Sequence, residues 1–166
     1  MLERTVIWLH RSAGAGIAIG AMELLARWDG EQLSRVPFVT SIVLVMALPD
    51  SEPARPSAVI FGHLLSSIAG LVAFWMLGSS ELATVAGVSL ATLLMLATRS
   101  VHPPAGIDAF LIPAYALPAV WVFNPMLTGA ILLATFAAVW SFAEHALLRR
   151  LDNAKTRRIR FDGRPK

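Results

Sequence analysis

Apolar residues run along this chain in blocks, and short polar interruptions set the blocks apart. Ala58–Leu77 is apolar throughout, with His63 as its only titratable group, and Leu82–Thr98 carries no charge at all. Met126–Ala143 is equally clean and runs on toward Leu148. Ala105–Phe123 is long but holds Asp108, Pro113 and Pro118. Ser12–Ala26, with Glu23 inside it, and the short Val36–Leu48 complete the series. A helix needs roughly 20 apolar residues to cross a bilayer, with a range of about 17 to 25. The pattern therefore predicts an all-α polytopic membrane bundle of four to six hydrophobic segments with two proline-rich breaks, Val36–Leu48 being a thin, tilted or re-entrant piece.

Composition agrees. Apolar residues make up 56% of the 166 and charged residues only 15%, which is not the mixture of a soluble domain. The absence of cysteine excludes disulfides, thiol catalysis and zinc–thiolate sites. The first apolar run, Thr5–Leu9, is short and interrupted by His10 and Arg11, so the N-terminus is expected to belong to the mature protein.

Charge adds orientation. Eight of the fourteen Lys and Arg fall in the last eighteen residues, from Arg149 to Lys166. Directly after a hydrophobic segment, such a tail reads as a cytoplasmic anchor and not as a nucleic-acid binder. The chain divides into a transmembrane domain, 1–148, and a basic tail, 149–166. Counting back from the tail places Arg99, His102, Asp50–Pro56, Arg4 and Arg11 on the cytoplasmic side. Both termini are then expected inside, in a multi-pass protein of the inner (plasma) membrane. Arg27 and Arg35 go against the rule, offset by Asp29 and Glu31.

Lipid gives helices no hydrophobic reason to associate, so small residues must let them approach. Ser12-Gly16-Gly20, Gly62-Ser66-Gly70 and Ala83-Gly87-Ala91 supply them at spacing four. The two proline-rich breaks, Pro49–Ser57 and Arg99–Gly106, each separate one apolar run from the next, and both fall at one face. The chain thus reads as two similar hairpins.

The second break has candidate chemistry. Pro103 disfavours helix at His102, and Pro103 and Pro104 end the incoming helix. The amides of Ala105, Gly106 and Ile107 would then stand free at a positive helix start, a place suited to an anion. Arg99 and His102 would add positive charge; the alternative is a plain cytoplasmic turn. A loop-end His102 should contribute little to core packing, and as imidazolium it would favour uptake as pH falls through about 6.5. His63 sits inside a span beside Gly62, where an ionisable group is functional by default or else a neutral histidine bonded to a neighbouring helix. Asp108 is expected to suit the helix dipole in a first turn, with a role as substrate or proton ligand the minority reading. Glu144 and His145 read as an interfacial pair. No metal-ligand spacing, nucleophile–base pair or nucleotide fingerprint appears, so neither cofactor nor enzyme activity is expected.

Arg99-Ser100-Val101-His102-Pro103-Pro104-Ala105-Gly106 resembles the signature of the HPP family of membrane proteins. Asp50–Pro56 followed by Phe61-Gly62-His63-Leu64-Leu65-Ser66 resembles that family's second block, a Ser–Pro-rich loop leading into a Gly-Gly-His-Leu-type helix start. The similarity runs from Pro37 to Leu148. It implies a compact helical membrane domain, usually described with four spans, and transport, with nitrite uptake associated with chloroplast and cyanobacterial relatives. The chain departs from the pattern at Val39-Thr40-Ser41, where Gly-Ala-Ser is usual, at Glu52 and Arg55, and at Ile107-Asp108. The expected function is movement of a small solute, an anion such as nitrite, by a homo-oligomer in the lipid bilayer. His102, Pro103, Pro104 and Gly106 would form the site, Arg99 would supply charge and His63 would line the cavity. The rival class is a non-transporting assembly or regulatory subunit, with an intramembrane enzyme a distant third.

Overall fold

The computed structural model describes residues 2–29 and 35–162, with side chains from 4–27 and 35–153. The expected outer loop around 30–34 and the end of the tail, 163–166, lie outside the described residues, as do the tail's side chains from 154. Described residues form helices α1 (Leu2–Asp29), α2 (Arg35–Ala47), α3 (Pro56–Leu77), α4 (Glu81–Ala97), α5 (Gly106–Tyr115) and α6 (Thr128–Asp162), with short 3-10 turns between some of them and no strand. The helices α3, α4 and α5 pack most closely together; α6 lies on α3, α2 reaches α5 and the turn before it, and α1 packs on α2 and α6.

Local chemistry sets the boundaries. Pro56 opens α3 at a first-turn position and Gly78, at φ 69°, stops it. Ser80 caps α4 by accepting from the Ala83 amide at 3.1 Å. The end of α4 is a left-handed stop built on Arg99, at φ 55°. Its amide donates to Leu96 O and the Ser100 amide to Met95 O, the paired bonds of a Schellman closure usually given to glycine.

The break around Asp108 corrects one expectation. Ala105–Phe123 does not form one span, because α5 stops at Ala116, which adopts φ 49°, and a 3-10 turn at Ala119–Val122 follows. Pro113 lies inside α5, so the carbonyl of Ala109 has no amide to accept four residues on. That carbonyl faces two glycines: a Cβ on Gly70 would meet Ala109 Cα at 2.8 Å, and one on Gly87 would meet Ala109 O at 2.8 Å. The stripes Gly62-Ser66-Gly70 and Ala83-Gly87-Ala91 are therefore true packing faces. Ser12-Gly16-Gly20 is not: all three are exposed and nothing approaches Gly16 or Gly20, whereas Gly14 and Ala18 of α1 turn inward.

Large apolar side chains on the outside, among them Trp75, Met76, Leu82, Val139 and Phe142, are at least 63% exposed, as lipid-facing residues would be. The stretches Pro56–Leu77 and Ala119–Asn153 are each long and apolar enough to cross a membrane, while Arg35–Ala47 and Glu81–Ala97 are apolar but shorter. Polar contacts tie the outer helices. Arg11 of α1 binds Glu144 of α6 at 2.7 Å, and Arg35 binds Glu23 at 2.6 Å. Glu144 is thus not paired with His145, whose Nδ1 instead meets Ser141 O at 2.7 Å.

Candidate functional site

Three helices and one break between helices send polar side chains to one point in the bundle. Ser41 comes from α2, His63, Ser66 and Ser67 from α3, His102 from the break before α5, and Asp108 from the first turn of α5. All six are fully buried. His63 Nδ1 lies 2.8 Å from Asp108 Oδ2, and the Ser67 hydroxyl donates to the same oxygen at 3.3 Å. Ser41 Oγ stands between the two histidines, 3.0 Å from His63 Nε2 and 2.9 Å from His102 Nε2. His102 Nδ1 donates to Pro53 O at 2.7 Å, which joins the two proline-rich breaks at one end of the bundle. Asp108 Oδ1 is buried with no hydrogen-bond partner.

The neighbouring sequence makes these approaches possible. A Cβ on Gly62 would meet His102 Cβ at 2.7 Å, so glycine there admits the histidine. His102 is held extended, at φ −128°, as the residue before a proline should be. Its ring is thereby turned inward while the chain turns at Pro103–Ala105.

The six residues expected to form the site separate. His63 and His102 come together, with ring centroids 5.2 Å apart. Arg99 is exposed and serves as the stop of α4. Pro103 and Pro104 shape the turn, lining a shallow groove against Val39, Thr40 and Val43 of α2. Gly106 has open space around it and an ordinary helical φ of −54°. The free-amide reading does not hold for two of its three donors: Ala105 N–H donates to His102 O, and Gly106 N–H donates within the turn to Pro103 O and Pro104 O.

His102 also corrects two expectations. It is part of the core, not a loosely packed loop end. Burial pushes its pKa down to about 4, against the raising effect of its bond to Pro53, so it is neutral at pH 6.5 and is not an imidazolium there. Asp108 does stand in the first turn of α5, as the helix dipole favours, but it makes no cap bond and its carboxyl faces His63.

Sequence reasoning missed Ser41 and Ser67 and undervalued Asp108. The signal for Asp108 was present: it is a carboxyl inside an apolar segment, to which the rule applied to His63 applies equally. The signal for Ser41 was slight: it keeps the serine of the Gly-Ala-Ser pattern where Val39 and Thr40 depart from it, but a serine can satisfy itself on its own helix, and Ser41 Oγ does also donate to Pro37 O at 3.0 Å.

Beside this cluster lies an apolar cavity of about 360 Å³ between α1, α2 and α6, lined by residues such as Ala18, Met22, Ile42 and Leu133. Phe38 is part of its lining, and the Phe38 and His63 ring centroids stand 4.8 Å apart. Gly129 of α6 leaves room for the ring; a Cβ there would meet Phe38 Cζ at 2.5 Å. Among the described residues no cluster of His, Asp or Glu has the arrangement to hold a metal ion.

Comparison with known proteins gives the site its context. Two transmembrane proteins of Dictyostelium discoideum are 37% and 33% identical to this chain over 116 residues, 64% of it. Those matches cover 40% and 37% of the relatives, so the chain spans about two fifths of their length. No solved structure matches. The family described as HPP, transmembrane region, matches residues 3–147, which take in both breaks and every member of the buried cluster. The chain belongs to the HPP family and is an integral membrane protein.

Proposed function

We propose that this protein moves a small solute across the inner membrane, with nitrite the first anion to test. The observation that carries the reading is the buried cluster of Ser41, His63, His102 and Asp108 inside an apolar bundle. Ionisable groups are costly there and persist where they line a solute or proton path. The cavity supports it, because Phe38, which helps to line that space, also packs against His63. The solute's place is at this cluster and not at the helix start after Pro104, whose amides are largely spent. A multi-pass arrangement with both termini cytoplasmic, a homo-oligomeric state and the absence of a catalysed reaction belong to the same proposal.

The test is uptake of nitrite, and of a panel of other small anions, into vesicles reconstituted with the full chain. His63→Gln and His102→Gln, compared at equal folded protein, should each lower uptake about tenfold, the equivalent of one lost buried hydrogen bond. Equal rates in parent and variants for every anion would leave the cluster a packing device and favour an assembly or regulatory subunit.

A further inference from the structure

Counting hydrogens in the buried cluster gives a result that the distances alone do not. Pro53 O can only accept, so His102 Nδ1 carries the hydrogen and the neutral ring presents a bare Nε2 to Ser41. If Asp108 were ionised and His63 neutral, His63 Nδ1 would carry its hydrogen toward Asp108, and His63 Nε2 would also be bare. Ser41 has one hydroxyl hydrogen and cannot serve both histidines, which lie 3.0 and 2.9 Å away. One buried nitrogen would lack a donor, and the cluster would hold an uncompensated negative charge.

One more proton removes both faults. With the Asp108–His63 pair carrying it, His63 Nε2–H donates to Ser41 Oγ, and Ser41 O–H donates to His102 Nε2. The pair is then neutral overall, whether the proton sits on the carboxyl or on the ring. The unpartnered Asp108 Oδ1 fits the same state, since a bare oxygen costs less on a neutral acid than on a carboxylate.

We infer that Asp108 and His63 form a proton-binding site, loaded with one proton and emptied through Ser41 and His102 toward the turn at Pro53. The inference rests on the transport reading only for its purpose: the proton is the ion whose movement accompanies the solute. In release, the His63 Nε2–H bond breaks as an O–H bond forms on Ser41, and Ser41's original O–H breaks as N–H forms on His102 Nε2. His102 Nδ1–H is bonded to Pro53 O and the ring is fully buried, so the turn must first move to admit water. Nδ1 then gives its proton to that water, which becomes hydronium, and a shared proton that had been on the carboxyl passes to His63 Nδ1. Asp108 is left ionised and both histidines neutral. The need for that movement ties the proton state of the interior to the geometry of the proline break. His102 carries the proton only in passing, since burial disfavours its charged form.

Among the described residues no other charged group faces the pair; Asp50, Glu52, Arg55 and Arg99 of the two breaks are exposed. From α2 the pair meets Ser41 and Phe38, from α3 Ser67, and from the break His102. On α4 the one charged residue is Glu81, exposed at the end far from the break. Glu144 of α6 is committed to Arg11, Glu23 of α1 to Arg35, and His10 is stacked on Trp140.

Nitrogen NMR of the full chain with labelled histidine, assigned through His63→Gln and His102→Gln, tests the loaded state at neutral pH. The expected pattern is a hydrogen on His63 Nε2 and on His102 Nδ1 with His102 Nε2 bare. A bare His63 Nε2 would overturn the inference. In vesicles holding a pH-sensitive dye, nitrite entry should change luminal pH above the leak of empty vesicles. Asp108→Asn, which keeps the neutral shape, and Ser41→Ala should each cut that change about tenfold at equal folded protein. Nitrite uptake without a pH change would overturn the coupling. The expected NMR pattern in a protein that moves none of the anions would overturn the transport reading and leave the proton site standing.

Discussion

At Arg99 a backbone requirement has replaced the charge expected of it. A side chain in the left-handed region is strained, and the paired bonds to Leu96 and Met95 hold it there. Arg99→Gly should therefore stabilise the protein by about 0.5–1 kcal/mol, read as a higher unfolding temperature in detergent. Nitrite uptake should be unchanged, because the side chain is exposed; a clear fall in uptake would return Arg99 to the site. At His102 the sign of the pH effect follows from the lowered pKa. The unfolded chain binds the proton below about 6.5 and the folded protein only below about 4, so stability falls as pH drops through that window. The full effect is about 3 kcal/mol. Melting curves between pH 7 and 4 should converge for the parent and His102→Gln, because only the parent carries this loss. A parallel decline would assign it to other groups.

Among the elements, the packing of α5 against α3 and α4 depends on two glycines. Gly70→Leu puts a side chain where the Ala109 backbone already stands, and backbone cannot move aside as a flexible side chain can. A loss of at least about 1–3 kcal/mol is expected, seen as earlier unfolding in detergent with helix content retained at low temperature. Gly16→Leu, on the open face of α1, should change little. The difference between these stripes also marks what was legible in the sequence. Spacing four identified all three, but it cannot say which face of a helix meets a neighbour. The start of α3 at Pro56, its stop at Gly78 and the extended His102 were legible because each rests on the backbone limits of one residue. The end of α5 was not, because Ala116 carries no such mark, and the meeting of Ser41 with two histidines depends on three segments far apart in sequence.

For the whole molecule, six apolar segments were visible as blocks, and their lipid-facing surface follows from the same residues. Their arrangement around a polar centre was not visible, since apolar periodicity carries no information on which helices are neighbours. The orientation remains a matter of charge. Reporter fusions at both ends should place each in the cytoplasm, and a periplasmic N-terminus with a cytoplasmic C-terminus would remove the even number of crossings. The last helix, at 35 residues, measures about 50 Å, longer than the roughly 30 Å of a hydrocarbon core.

The shortness of α5 governs how the protein can be made. Ten residues rise only about 15 Å, and they carry a carboxyl near their start and a proline near their end. Released alone into lipid during synthesis, such a segment could neither reach across nor shelter Asp108. Docked against α3 and α4, with Asp108 facing His63, it is sheltered. Insertion of α5 is therefore expected to depend on the α3–α4 hairpin, and in an insertion assay α5 offered without that hairpin should not be retained in the membrane.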